Sequence, residues 1–112
     1  MSFVYASRGI TRLFQKERNA RIHLVLALVA VIVAWHLGLS MVEWGLLALT
    51  IGMVFVAEAM NTAIESLTDL ASPEIHPLAK DVKDIAAGAV LMAALVALLM
   101  AMLLFLPKMR AW

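Results

Sequence analysis

The chain has 112 residues, 64% of them hydrophobic, with no cysteine and a formal net charge of +1. That length fits a single domain, 1–112, and the missing cysteine excludes disulfide frameworks and thiolate chemistry. An ordinary soluble domain is about 45–50% apolar, so this composition excludes a small soluble fold and points to lipid. The net charge says little about partners, and no nucleic-acid partner is expected; the distribution of charge says more.

In chain order, residues 1–21 come first. Phe3, Ala6, Ile10, Leu13 and Phe14 recur at helical spacing with Arg8, Arg12 and Lys16 between them. This pattern predicts an amphipathic helix lying in a membrane interface. Residues 22–42 follow without Asp, Glu, Lys or Arg. These 21 residues suffice to cross a hydrocarbon core, at roughly 1.5 Å per residue against about 30 Å. The connection around Gly38 to Glu43 has no Lys or Arg. The next uncharged run, 44–57, holds only 14 residues, or roughly 21 Å of helix. It spans only by continuing into the acidic segment that follows, which predicts a second span over 43–66. Pro73 and Pro77 break the chain in the connection 67–84, and LAKDVKD, 78–84, resumes a helical pattern. The third span is predicted at 85–107.

Basic residues orient these spans. Arg8, Arg12, Lys16, Arg18 and Arg21, with Lys80 and Lys83, make seven on one side, against Lys108 and Arg110 on the other. The positive-inside rule then places the N-terminus and the second connection in the cytoplasm of a multi-pass protein of the inner membrane. Trp35, Trp44 and Trp112 are expected near the outer interface. Ala89, Ala93, Ala97 and Ala101 form a ladder of small residues in the third span, a spacing that lets helices approach closely in lipid.

The segment EAMNTAIESLTD, 58–69, carries the chemistry. At 100° per residue, with Glu58 at 0°, Asn61 falls at about −60°, Glu65 at about −20° and Asp69 at about +20°. All four share one face. An ionised carboxylate at mid-bilayer costs about 2.5–3.5 kcal/mol on insertion scales, so such residues mark function or a protein partner. With Glu43 at the outer interface, Glu58 lies roughly 22 Å inward and Glu65 roughly 33 Å inward. Glu58 is then at the cytoplasmic edge of the hydrocarbon, where a lipid hydroxyl can meet it, and Glu65 and Asp69 reach water. Glu17, at the cytoplasmic start of the first span, is level with Glu65. Two carboxylates from different helices suit a Mg²⁺–phosphate clamp. Glu17 and Arg21 are also spaced as a simple helix pair. His76, Lys80, Lys83 and Asp84 belong to the same surface, and lysine serves phosphate as a point charge. Lys80 and Lys83 equally suit plain interfacial anchoring. No glycine-rich phosphate loop is present. The acidic strip also admits an ion path in a small transporter or channel subunit, or a partner-binding face of a non-catalytic scaffold.

EAMNTAIESLTDLA, followed by HPLAKDVKDIAAGAVL, with ERNARIHL at 17–24, closely resembles the small bacterial integral-membrane kinases of diacylglycerol and undecaprenol. The likeness covers about residues 3–107. It implies an all-α homotrimeric bundle of three-span subunits, each with an N-terminal surface helix. It implies transfer of the γ-phosphate of ATP, with Mg²⁺, to a membrane lipid alcohol. Glu58 resembles the general base, and Glu17 and Glu65 resemble ligands of the metal on the ATP phosphates, with Asn61 and Asp69 in support. Glu74, Ile75, His76, Lys83 and Asp84, and Tyr5 as an aromatic, match nucleotide-contacting positions. His23 stands where the diacylglycerol branch has Glu, and RIHL is closer to the undecaprenol branch, which leaves the acceptor open. A basic residue near the nucleotide in the longer N-terminus of the diacylglycerol branch has no counterpart here, unless Arg8 substitutes.

Overall fold

The fold is all-α. A computed structural model describes residues 2–110, in four helices: α1 (Ser2–Lys16), α2 (Arg18–Leu37), α3 (Met41–Ala71) and α4 (Pro77–Arg110). The last three are long and apolar enough to cross a membrane. Trp112 lies outside the described residues.

The helix ends follow from local chemistry. The expected first helix stops at Lys16 rather than running to residue 21, because Glu17 is extended (φ −105°, ψ 116°). The Arg21 guanidinium donates to the Phe14 and Gln15 carbonyls at 2.8 and 3.1 Å. It satisfies acceptors that the end of a helix leaves without intrahelical partners. Residues 18–21 therefore open the spanning helix α2.

Gly38 ends α2 in the left-handed region (φ 71°), with its N–H donating to the Ala34 carbonyl. Only glycine takes this cap at no steric cost. Ser40 then starts α3 with a reciprocal cap: its hydroxyl accepts from the Glu43 N–H, and the Glu43 carboxylate accepts from the Ser40 N–H.

α3 has 31 residues and α4 has 34, roughly 46 and 51 Å of helix. Both outrun a hydrocarbon core of about 30 Å. The connection expected over 67–84 thus narrows to a non-helical 72–76. Pro77 opens α4 at the position where a missing N–H costs nothing.

α3 and α4 pack along each other, and the buried cluster Ala34, Leu39, Leu47 and Leu104 closes the bundle at the Gly38 end. At that end the Lys108 ammonium lies 3.2 Å from the Glu43 carboxylate. Lys108, which runs against the positive-inside count, thereby has a local counter-charge. Trp35 and Trp44 flank the same turn. Of the alanine ladder, Ala93 is buried, Ala97 and Ala101 line a groove between α2, α3 and α4, and Ala89 is exposed.

Candidate functional site

The opposite end of α3 holds the acidic strip. Glu58 is 2% exposed, the largest fully buried side chain among the described residues. Four residues separate it from Val54, which is also buried, so both face inward one turn apart. Its Oε1 has no hydrogen-bond partner, and neither have the buried Asn61 Oδ1 and Thr62 Oγ1. Three orphaned polar atoms thus lie within little more than one turn. Each such atom costs about 1–3 kcal/mol when left unmet, which marks a site shaped for something other than the fold.

His23, from α2, brings its Nε2 to 3.3 Å from Glu58 Oε1. The approach is close without being aligned as a hydrogen bond. In the sequence His23 stands out only as a departure from a family pattern, and the structure adds it to the site. A signal existed: an imidazole deeper in the span than the terminal His36 is a polar group in lipid, and such groups usually face the bundle interior.

One turn further along α3, the Asn61 side-chain amide donates to Glu65 Oε1 at 3.2 Å, so two members of the strip touch. The Lys16 ammonium donates to the Ser66 hydroxyl at 2.8 Å. This bond joins the residue before Glu17 to the residue after Glu65, and so ties the break after α1 to the turn of α3 that carries Glu65. Phe14 packs edge-to-face on Phe55, with centroids 5.7 Å apart, and fixes the same approach. No cluster of three or more metal-ligating side chains occurs among the described residues. Two carboxylates are the number Mg²⁺ takes when phosphate oxygens and water complete its shell, and the half-buried Glu17 makes no capping bond of its own.

Beyond the membrane-spanning part of α3, Lys83 of α4 pairs with Asp69, so a residue of the strip meets a candidate phosphate ligand. Lys80 pairs with Asp84 at 2.6 Å, one turn on in the same helix. That hydrogen bond, reinforced by the Asp84 charge, pushes the exposed Lys80 ammonium above its ordinary value. The remaining candidates are less gathered. His76 Nδ1 accepts from the Leu78 N–H at 3.1 Å and caps α4. The Glu74 carbonyl accepts from the Ser72 hydroxyl. Ile75 and Tyr5 are exposed.

An apolar groove of about 330 Å³ runs from His23 between α2, α3 and α4, past Ala27, Val54 and Ala97 toward Phe105. It leads from the polar end into the lipid-spanning part of the molecule. The arrangement combines a buried carboxylate, an apolar trough that begins at its neighbour His23, and charged groups beyond it.

The profile of a family described as prokaryotic diacylglycerol kinase matches residues 4–105. The chain is 44% identical over 108 residues to an undecaprenol kinase of Bacillus subtilis (strain 168), covering 96% of this chain and 88% of that protein. It is 41% identical over 110 residues to a diacylglycerol kinase of Synechocystis, covering 97% of this chain and 63% of that one. It is 32% identical over 95 residues to a diacylglycerol kinase of Escherichia coli (strain K12), covering 85% and 78%.

Proposed function

The chain belongs to the prokaryotic diacylglycerol kinase family and is a lipid kinase, and from that premise we propose that Glu58 takes the hydroxyl proton of a membrane alcohol as the γ-phosphate of ATP is transferred to it. The observation that carries this reading is the buried, unpartnered Glu58 Oε1 on a helix able to span a membrane. Its neighbours differ in kind on its two sides. The apolar groove leads away into the span, and Glu65, Asp69 and Lys83 lie toward the other end of α3. An acceptor with a long apolar chain fits the groove and sets its hydroxyl by the carboxylate. A nucleotide fits the charged end.

Phosphoryl transfer depends mainly on positioning and charge neutralisation. Lys83 supplies a point charge to phosphate, held ready by Asp69. Asn61 orients Glu65. Glu17 and Glu65 would hold Mg²⁺, whose charge offsets that of the phosphates; the Lys16–Ser66 bond that joins their neighbourhoods supports that assignment. Tyr5, Glu74, Ile75, His76 and Asp84 would contact the nucleotide, and the exposed Ile75 and Tyr5 are open to do so. The N-terminus and the 72–76 connection lie in the cytoplasm on this reading, with α1 on the membrane surface, so ATP meets the lipid at the inner face. Three such chains form the working unit. The exposed small residues Ala48 and Gly52, one turn apart on α3, offer a surface on which neighbours can approach closely.

For the acceptor, a polyprenyl alcohol is the first reading, supported by the likeness to the undecaprenol kinase over nearly the whole chain. Diacylglycerol is the second, supported by the likeness to the Synechocystis kinase. The test offers both lipids, separately, to purified protein in bilayers with Mg²⁺ and γ-labelled ATP. Labelled polyprenyl phosphate is the expected principal product. Transfer to diacylglycerol alone would overturn the first reading, and transfer to neither would overturn the function.

A further inference from the structure

His23 and Glu58 form a pair between α2 and α3 that the transfer step itself does not require. The Glu58 carboxylate is 2% exposed, whereas 22% of the His23 side chain remains accessible. The imidazole thus stands between the buried acid and the groove that it lines. No Lys or Arg among the described residues forms an ion pair with Glu58. The charged groups on the elements around it are engaged elsewhere. Lys16 of α1 bonds Ser66, Arg21 of α2 bonds the end of α1, Glu65 of α3 holds Asn61, and Lys83 and Lys80 of α4 hold Asp69 and Asp84. Glu17 and Arg18 stand at the start of α2, more than a turn before His23. A carboxylate that gains a proton in a site this closed must lose it again before the next turnover, and His23 is the titratable neighbour through which it can leave.

We propose that His23 is the positioning residue of Glu58 and the exit for the proton that Glu58 collects. The inference rests on the reading of Glu58 as the base. As the acceptor oxygen bonds to the γ-phosphorus and the bond from that phosphorus to the β,γ-bridging oxygen breaks, ADP leaves with the electron pair and the acceptor's proton moves to the Glu58 carboxylate. The resulting acid passes the proton to Nε2 of a neutral His23 ring. The imidazolium then loses its Nδ1 proton to water, which leaves an ionised Glu58 and the Nε2–H tautomer, and exchange of the ring proton from Nε2 to Nδ1 through water resets the ring for the next turnover. An imidazole suits this task because one ring nitrogen can accept a proton while the other releases one.

The test is the pH dependence of kcat and KM for wild type, His23→Gln and His23→Ala, each in bilayers with saturating acceptor. In His23→Gln the amide keeps a polar contact with Glu58 and cannot titrate. The expected result is a fall in kcat on the order of tenfold to a hundredfold, with KM for ATP within about twofold of wild type. Any pH-dependent limb of the wild-type kcat profile that His23 contributes is absent from His23→Gln. Added imidazole restores part of the rate of His23→Ala, and this arm stands if the glutamine variant fails to fold. Wild-type kcat with an unchanged pH profile in His23→Gln, or a slow His23→Ala indifferent to imidazole, overturns the proposal. Glu58→Gln, run alongside, keeps the two readings apart: full activity there removes the base itself, whereas inactivity there with a wild-type His23→Gln removes only the relay.

Discussion

Lys83 and Asp69 lie 14 residues apart in sequence and meet across the 72–76 connection, so one charge of the strip on α3 is read out on α4. Both are partly exposed, and such pairs contribute only about 0–1 kcal/mol to stability. Lys83→Ala is therefore expected to leave the thermal midpoint nearly unchanged. The same change should raise KM for ATP on the order of tenfold, because a lysine on phosphate acts as a point charge. Steady-state kinetics beside a melting curve separates the two effects; a large loss of stability with unaltered KM would assign Lys83 to the fold. Helical phase made the shared face of Glu58, Asn61, Glu65 and Asp69 legible in the sequence, because all four ride on one uninterrupted helix. It could not show His23 against Glu58, since phase within a helix says nothing about the rotation of a second helix against it. Nor could it show that His76 caps α4, because a side chain acting on its own backbone looks like any polar loop residue.

At the scale of the elements, charge-free runs located the three helices able to cross a membrane but not the ends of those helices. Such runs measure the thickness of hydrocarbon, whereas helices end where backbone groups find other partners. LTDLA and LAKDVKD are polar enough for water and still helical, so α3 and α4 run on past the charge-free runs on the side of the strip. Conversely, Glu17 breaks a stretch that composition alone runs together, and the guanidinium of Arg21 supplies the closing bonds. The tight turn between α2 and α3 yields a direct test. Gly38→Ala forces a Cβ into left-handed backbone (φ 71°), at a cost of about 1–2 kcal/mol. Ser40→Ala removes a capping box worth about 1 kcal/mol. Both should lower the unfolding midpoint in detergent while leaving KM for ATP unchanged, since the turn lies at the far end of the bundle from Glu58. A midpoint equal to wild type in both variants would contradict the cap assignments.

For the molecule as a whole, a single chain leaves much apolar surface uncovered, with Leu49, Val56, Leu95 and Leu103 all exposed, and lipid or a neighbouring chain must cover it. The homotrimer proposed above allows a base from one chain to serve a nucleotide held by another. Coexpressing Glu58→Gln with Lys83→Ala tests this at ATP well below the raised KM: mixed assemblies should exceed the rate of either variant alone, and no gain from demonstrably mixed assemblies would confine each site to one chain. The central claim is that a buried carboxylate at the edge of the lipid takes the acceptor's proton. It is tested most directly by single-turnover transfer from bound, γ-labelled ATP to the lipid in wild type and Glu58→Gln, with nucleotide affinity measured on the same samples. The account expects ATP to bind equally well and phospholipid to form about 10²–10⁴-fold more slowly in the variant; a transfer rate within a few-fold of wild type would contradict it.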